Sequence, residues 1–282
     1  MKKSISILLT LALLLGAACA LADEINVISR EDGSGTRGAF IELFGIEQKN
    51  EAGEKIDYTT DECDITNSTS VMMTSVAGND CAIGYISLGS LNETVKALAI
   101  DGAAATVDNI KAGAYNVARP FNIATKAEIS AAAQDFIAFI MSAEGQAVIE
   151  KSGYIAAAQN ASAFKGGKAS GKVVISGSSS VTPVMEKLKE AYCALNPHAE
   201  LELQQSDSTS GMNAALDGVC DIGMASRELK KSELEAGLLP QVIAMDGIAV
   251  IVSPDNAVES LTTEQVRAIY MGEITDWSEV NE

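Results

Sequence analysis

The chain has 282 residues, 47% of them hydrophobic, and a formal net charge of −18. This length supports one large core or two lobes, and the acidic balance argues against nucleic acid and anionic membrane surfaces as partners. A small anion is still compatible with the charge, because local donors decide its binding and salt screens distant charges.

The first 22 residues have the pattern of a secretory signal peptide. Two lysines precede an apolar run that ends at a small-x-small cleavage site, ALA at 20–22, and the run is too short for a permanent transmembrane helix. We therefore expect a protein exported to the periplasm or the extracellular space. Its mature chain would begin at Asp23 and, without the two lysines, carry a net charge of −20. Lipid attachment through Cys19 is the alternative.

Four cysteines remain in the mature chain, and an even number in an exported protein favours disulfides, with three connectivities open. They are Cys63, Cys81, Cys193 and Cys220. The chain has no C-x-x-C pair, and its only histidine, His198, lies in a turn-like segment. We therefore expect no metal site and no His-dependent catalytic triad.

Apolar strand-like runs alternate with helix-like segments along the chain, which is typical of an α/β protein. The elements predicted in the first half are, in order, a strand at 25–29, a helix at 35–46, a helix at 69–80, a strand at 81–88 and a long helical region at 129–153. Leu43 is expected on the buried face of the helix at 35–46.

Residues 156–172 are small, polar and glycine-rich, and we interpret them as a linker. Strand–turn–helix units follow this segment. The elements predicted beyond it are units at 173–195, 200–218 and 221–237, an apolar strand at 246–254 and a short helix at 262–272.

Four strand-to-helix turns are rich in hydroxyl groups and glycine: REDGSGTR, SGSSSVTP, SDSTSGM and MASREL. The first backbone N–H groups of a helix have no partner within it, so Ser, Thr and Gly at its start favour an anion. Arg30 and Arg227 add forked, charged donors that suit a tetrahedral oxyanion. One such turn alone is ordinarily a helix cap, but together the four predict an oxyanion site at the carboxyl ends of the strands.

Motifs for nucleotide binding and for nucleophilic catalysis do not occur in the sequence. It contains neither a G-x-x-x-x-G-K-[ST] loop nor a G-x-S-x-G elbow. We therefore expect no enzymatic activity and no cofactor.

Six stretches, spread over nearly all of the mature chain, resemble the phosphate-binding proteins of bacterial ABC transporters. They are INVISREDGSGTRGAF, AIGYISL, VVISGSSSVTPVMEKL, DGVCDIGMASREL, DGIAVIVSPDN and LTTEQVRAIYMGEITDWSEV. The resemblance implies a two-lobed α/β fold of the type II-like periplasmic-binding-protein class, in which each lobe is a sheet flanked by helices. It also implies capture of inorganic phosphate between the lobes and delivery to a membrane permease. A phosphate sensor or storage protein is the alternative, and a hydrolase a remote one.

The order of these stretches departs from the family. In the family the GSSS strand comes first and GEITDWSEV runs directly into INVISREDGSGTR, whereas this chain begins near INVI and stops at DWSEVNE. We therefore predict a circular permutation whose linker is 156–172, with lobe A at 117–246 and lobe B at 23–116 plus 247–282. The alternatives are two tandem gene copies joined in error, or an exchange of halves between two chains. We expect the protein to be a monomer.

The resemblance assigns phosphate contacts to residues of the four turns. These residues are Arg30, Ser34, Gly35, Thr36, Ser179, Ser180, Ser208, Ser226 and Arg227. Asp32 is expected to orient Arg30 rather than to touch the ligand. A shift of one residue would make Ser178 and Thr209 donors instead.

Some family members have an aspartate where Arg227 stands, and it accepts a proton from hydrogen phosphate. Here Glu31, Asp32 or Asp207 would have to take that role, or sulfate is rejected less strongly. The lobe assignment also implies two disulfides, Cys63–Cys81 and Cys193–Cys220, because a bond between lobes would resist closure. Four buried free thiols are the alternative.

Overall fold

The computed structural model describes residues 24–281, so the predicted signal peptide and Cys19 lie outside the described residues. The strands are β1 (Asn26–Arg30), β2 (Glu47–Lys49), β3 (Lys55–Asp57), β4 (Asp64–Thr66), β5 (Ala82–Ser87), β6 (Lys96–Ala97), β7 (Ala99–Ile100), β8 (Ala118–Thr125), β9 (Ile155–Ala156), β10 (Gly171–Ser178), β11 (Ala199–Ser206), β12 (Ile222–Ala225), β13 (Leu239–Val252) and β14 (Ser260–Leu261). The helices are α1 (Gly35–Leu43), α2 (Thr69–Ala77), α3 (Val107–Lys111), α4 (Ala131–Ile140), α5 (Ala143–Lys151), α6 (Thr182–Leu195), α7 (Ser208–Asp217), α8 (Lys231–Glu235) and α9 (Thr263–Tyr270), with 3-10 helices at Leu88–Ser90 and Trp277–Asn281.

One sheet carries most of the fold, and its strands follow the order β11-β10-β12-β8-β13-β5-β1-β4. At one side β10 is parallel to β11 and β12, and at the other β1 is parallel to β4 and β5. The long antiparallel strands β8 and β13 join these two parallel groups. The expected α/β class is therefore confirmed.

The carboxyl ends of both parallel groups point to the middle of β13. Ser87, the last residue of β5, pairs with Ile248 on β13. From the other side, Ala225 at the end of β12 pairs with Asn122 on β8, which in turn faces Val242 on β13. Because the loops that follow parallel strands lie at their carboxyl ends, the loops of both groups converge at the centre of the sheet.

Buried apolar side chains form two pairs of clusters, one pair on each side of this centre. One pair is built from residues 25–117 and 248–280, and we call this part lobe B. The other pair is built from 121–244, and we call it lobe A. In each lobe the two clusters cover opposite faces of the sheet, because successive residues of a strand point to opposite sides. Where the chain divides between the lobes stays a prediction.

Helix α1 is anchored to lobe B by aromatic packing. The ring of Phe40 stacks on Tyr85, with centroids 3.9 Å apart, and its edge meets Tyr270 at 4.7 Å. The Ser34 side chain caps the helix by accepting from the Arg37 N–H. Leu43 is partly exposed, so its predicted place on the buried face is wrong. This packing fixes the position of the first turn of α1.

The segment predicted as a linker has no helix or strand between Ala156 and Gly171, yet it is bonded to lobe A. Asp135 on α4 accepts from the Gly167 N–H at 2.9 Å and from the Tyr192 hydroxyl at 2.7 Å. Burial is the largest of the causes that raise the pKa of Tyr192 to about 12. Asp135 therefore ties the segment to both α4 and α6.

The two ends of the described chain lie side by side. The Ile25 N–H donates to the Thr275 carbonyl at 2.7 Å, and Glu24 forms a bridge with Asp276. A circular permutation opens a chain at a point where it was continuous, so the new ends are expected to lie close together. The permutation itself concerns the order of segments along the chain and stays a prediction.

The two predicted disulfides are not formed: Cys63, Cys193 and Cys220 are free thiols. Cys63 and Cys81 precede β4 and β5, which flank β1, so two strand spacings of ~4.8 Å separate their backbones. That separation exceeds the ~7 Å that a disulfide can span. Cys193 packs against a different cluster from Cys220, on the other face of the sheet. The alternative of buried free thiols therefore fits Cys220, while Cys63 and Cys193 are free but only half-buried.

Two further features of the described residues bear on function. Between residues 24 and 281, no helix has both the length and the apolar character that a membrane span requires. The same part of the chain contains no group of His, Cys, Asp or Glu side chains arranged to hold a metal ion.

We expect Asp135→Ala to lower the free energy of unfolding by about 1–3 kcal/mol, because it leaves the buried Tyr192 hydroxyl and the Gly167 N–H without their acceptor. Urea unfolding followed by circular dichroism measures the change. Glu144→Ala is the matched control, since Glu144 accepts from the same segment, at the Phe164 N–H, but in an exposed position. An equal loss in both variants would contradict the role given to Asp135.

Candidate functional site

Six hydroxyl side chains meet where the carboxyl ends of the strands converge. All are at most 5% exposed, and we call them the hydroxyl cluster: Thr36, Thr69, Ser179, Ser180, Ser208 and Ser226. Two come from the starts of α1 and α2 in lobe B. The other four come from the loop after β10, the start of α7 and the end of β12 in lobe A.

Hydrogen bonds inside the cluster connect the lobes directly. The Thr36 hydroxyl lies 2.8 Å from that of Ser180 and 3.3 Å from that of Ser226. The Thr69 hydroxyl lies 3.1 Å from that of Ser180, and the Thr69 N–H donates to Ser179 at 3.3 Å. The cleft between the lobes is therefore closed over the cluster.

Three helices begin at the cluster, each with a side-chain cap. Ser34, Ser68 and Asp207 cap α1, α2 and α7 by accepting from the third N–H group of each helix. The earlier N–H groups of a helix have no partner within it, and the helix dipole adds partial positive charge there. The cluster therefore combines hydroxyl donors with helix ends that favour a negative charge.

Arg30 adds a full positive charge beside the hydroxyls. Its side chain is 3% exposed, and its Nη2 donates to the Ser179 hydroxyl at 3.1 Å. The carboxylate of Glu31 accepts from Nε and Nη2 of Arg30, both at 2.7 Å, and so fixes the guanidinium. The Tyr85 hydroxyl accepts from the Arg30 backbone N–H, and burial raises the pKa of Tyr85 to about 12.

Asp32 does not orient Arg30, contrary to the prediction. Its side chain is 96% exposed and pairs with Arg37, at 3.0 Å. The Ser34 N–H donates to the Glu31 carbonyl, which closes a turn and leaves Asp32 on its outside. The neighbouring carboxylate, Glu31, has the expected role instead.

Arg227 is buried, but its guanidinium is engaged away from the hydroxyl cluster. Nη1 and Nη2 donate to the two carboxylate oxygens of Glu233, at 2.9 and 2.7 Å, and Nη2 also reaches the Thr209 hydroxyl at 3.3 Å. Burial alone would raise the pKa of Glu233, but the hydrogen bonds from Arg227 and from the Lys230 N–H lower it. The structure therefore does not place Arg227 or the Thr209 side chain among the cluster's donors.

Two glycines allow the lobes to come this close. A Cβ atom on Gly35 would overlap the Ser208 hydroxyl and lie 2.9 Å from that of Ser226. A Cβ on Gly33 would overlap the Asp207 carboxylate, and the Gly33 carbonyl accepts from the Thr209 N–H at 3.1 Å. A Cβ at either position would therefore force the facing side chain or the lobes themselves to move.

The structure thus brings most of the predicted site residues together. Those in or beside the cluster are Arg30, Gly35, Thr36, Ser179, Ser180, Ser208 and Ser226. Ser34 is a helix cap next to the cluster, and Ser178 is buried at the end of β10. Asp207 caps α7 through Ser210, so Glu31 is the only one of the three candidate acceptors that is bonded to a residue of the site.

Sequence reasoning missed Thr69. It lies in TNSTSVM, which joins β4 to α2 and has the same hydroxyl-rich, strand-to-helix character as the four turns that were singled out. Its signal was therefore present in the sequence. The absence of glycine and arginine from this turn made it less conspicuous.

The fold defines a class of protein: a two-lobed solute-binding protein. The sequence model of the PBP superfamily domain matches residues 20–144 and 162–282. The phosphate-binding protein PstS 2 of Streptococcus agalactiae is 58% identical over 258 residues, covering 91% of this chain and 88% of its own length. PstS 2 of Streptococcus pneumoniae is 43% identical, covering 91% and 87%.

A crystal structure agrees with these sequence matches. The phosphate-binding protein of a phosphate ABC transporter from Streptococcus pneumoniae superposes with a TM-score of 0.71 at 43% identity, covering 91% of this chain and 99% of that one. The chain therefore belongs to the PBP superfamily, and within it to the family of the streptococcal phosphate-binding proteins named PstS 2. The family expected from the sequence is confirmed.

We expect Glu233→Gln to lower the free energy of unfolding at pH 7 by about 1–3 kcal/mol, because it leaves the buried Arg227 guanidinium without its counter-charge. The Glu233 pKa is lowered in the folded protein, so its contribution is present at neutral pH and is lost as the pH falls through that value. Unfolding of the variant should accordingly depend less on pH in the acid range below the ordinary glutamate pKa of about 4.3. Glu228→Gln, at an exposed carboxylate of the same loop, is the control. Parallel pH profiles for wild type and Glu233→Gln would contradict this role.

Proposed function

We propose that this protein captures inorganic phosphate between lobe A and lobe B and delivers it to the membrane permease of an ABC transporter. The observation that carries the proposal is the hydroxyl cluster, which both lobes build next to Arg30 and three helix starts. The names of the streptococcal relatives support phosphate as the ligand. The proposal includes no catalytic step.

The number of donors suits an anion that must lose its water. Burying an ion costs several kcal/mol, and a charge-assisted hydrogen bond returns about 1.5–3 kcal/mol. Two or three donors would scarcely offset the cost. Six hydroxyls, the Arg30 guanidinium and the helix N–H groups together exceed it, and each further ~1.4 kcal/mol raises affinity tenfold.

Closure of the lobes is the proposed mechanism of capture. With the predicted boundaries, 23–116 plus 247–282 for lobe B and 117–246 for lobe A, Arg30, Thr36 and Thr69 belong to one lobe and the four serines to the other. Neither lobe alone offers the full set of donors. Phosphate therefore binds the closed arrangement more tightly than the open one and shifts the population towards it.

Export agrees with this use, because a receptor that serves a permease must meet its solute outside the cytoplasm. We infer that residues 1–22 direct the chain across the membrane and that the mature protein acts as a monomer. The permease would then distinguish the closed, loaded form from the open one.

Calorimetry on residues 23–282, freed of bound anion by partial unfolding and refolding, tests the proposal. Tight one-to-one binding of phosphate with no heat from sulfate is expected, with Glu31 as the candidate acceptor for the proton of hydrogen phosphate. Equal binding heats from both anions would show that the site binds anions but does not select phosphate over sulfate. A folded sample that binds neither anion would overturn the proposed function.

We expect Gly35→Ala to weaken phosphate binding at least a hundredfold, because the new methyl group overlaps the Ser208 hydroxyl and keeps the lobes apart. Gly38→Ala is the matched control on the same helix, since its Cβ would come no closer than 3.9 Å to Arg227. Titration calorimetry measures both affinities, and thermal unfolding verifies that both variants fold. Equal affinities in the two variants would contradict closure at this position.

A further inference from the structure

Arg119 and Asp246 face each other at the centre of the sheet, where the chain passes between the lobes. They are paired in the register of β8 and β13, and their side chains are at most 2% exposed. The Arg119 Nη2 lies 3.3 Å from the Asp246 Oδ2. Any change in the angle between the lobes must act on the strands that carry this pair.

The pair is bonded less well than the other buried arginine–carboxylate pairs. Arg30 and Arg227 each hold a carboxylate with two hydrogen bonds of 2.7–2.9 Å. In contrast, no guanidinium nitrogen of Arg119 has a hydrogen-bond partner in the described protein, and neither does Oδ2 of Asp246. The guanidinium instead lies over the Phe121 ring, 5.3 Å from its centroid.

Polar groups of both lobes surround the pair. The hydroxyls of Ser87 and Ser90 from lobe B and of Tyr154 from lobe A are buried without a hydrogen bond of good geometry. The Gly89 N–H donates to Oδ1 of Asp246 at 3.3 Å, and Gly89 packs so tightly on the Tyr154 ring that a Cβ would overlap it. Buried polar groups that lack partners are costly, so the closed arrangement carries an energetic penalty at this point.

Few charged groups face Asp246. β8 contributes Arg119, and the segment before β9 contributes Tyr154. β5 contributes the Ser87 hydroxyl and the 3-10 helix the Gly89 N–H, neither of them charged, and α3 places the apolar Ile110 next to Gly247. The next charge, Arg30, acts on Arg119 and lies at the hydroxyl cluster.

Burial dominates the ionisation of both members of the pair. It raises the pKa of Asp246 to about 6, although the Arg119 charge opposes this rise. Burial also lowers the pKa of Arg119 to about 10, against the attraction of Asp246. In the closed arrangement Asp246, when ionised, therefore has too few hydrogen-bond donors around its carboxylate.

We propose that the Arg119–Asp246 pair is a proton-sensitive element of the hinge, in which an ionised Asp246 favours the open arrangement and a protonated Asp246 the closed one. The proposal rests on the proposed closure of the lobes around phosphate. A proton on the carboxyl group removes a buried charge and creates a donor next to the Ser87 hydroxyl. Opening lets water solvate the ionised carboxylate instead.

The direction of the pH effect follows from the pKa of Asp246 in the open and the closed arrangement. In the open form, with water present, Asp246 returns towards its ordinary pKa of about 4, while in the closed form its pKa is about 6. The closed form therefore binds more protons and gains population as the pH falls through 6. Between pH 7.5 and pH 5 the closed-to-open ratio should rise about tenfold.

Small-angle X-ray scattering on residues 23–282, without phosphate or sulfate, measures this ratio. The wild type should become more compact from pH 7.5 to pH 5, and Asp246→Asn should have the same compact form at both. Glu202→Gln, which removes an exposed pairing with Lys172 on lobe A, is the control and should behave like the wild type. A wild-type ratio that is independent of pH would overturn the proposal even if the Asn variant fails to fold. A pH response that persists in Asp246→Asn would also overturn it.

Addition of phosphate at pH 7.5 separates this proposal from the proposed function. Compaction on phosphate without a response to pH would refute only the hinge element. No compaction on phosphate would refute the capture mechanism, whatever the pH response of the ligand-free protein.

Discussion

The antiparallel pairing of β8 with β13 is the constraint on which the rest of the structure depends. β13 pairs first with β8 and then, beyond Gly247, with β5, so one strand belongs to both lobes. The parallel strands of the two lobes approach it from opposite directions and end near its middle. Loops far apart in sequence, such as those at Thr36 and Ser180, are thereby placed in contact. The chemistry of the site is a consequence of this topology.

Local sequence patterns were sufficient for much of the fold, because they report caps and periodicity directly. The helix start at Gly35 follows a serine cap, and the apolar strand β13 is buried on both faces from Ile248 onwards, as its continuous apolar run indicates. The helical region predicted at 129–153 is in fact two helices, because Ser142 caps a new helix through the Gly145 N–H. The prediction of one helix relied on the helical periodicity of this region alone, although the serine within it indicated the start of a second helix.

The candidate site was harder to predict where a side chain had a choice of partners. Arg30 and Arg227 look alike in sequence, but Glu233, six residues further along the chain in α8, binds Arg227, whereas Arg30 keeps a donor for Ser179. Asp32 and Glu31 are neighbours, and only the turn geometry decides which one faces Arg30. Disulfide pairing failed for a similar reason, since β1 separates Cys63 from Cys81 and no sequence pattern specifies the order of the strands.

The division of the core also orders events during synthesis. All residues of the two lobe A clusters lie within 121–244, so these clusters can assemble once that stretch has left the ribosome. The main lobe B cluster joins Ile25 and Phe40 to Trp277 and Val280, so it cannot be completed before residues 277–280 are made. The segment around Ile25 and Phe40 therefore packs fully only after residues 277–280 have been made, and the hydroxyl cluster, which needs both lobes, forms after that step.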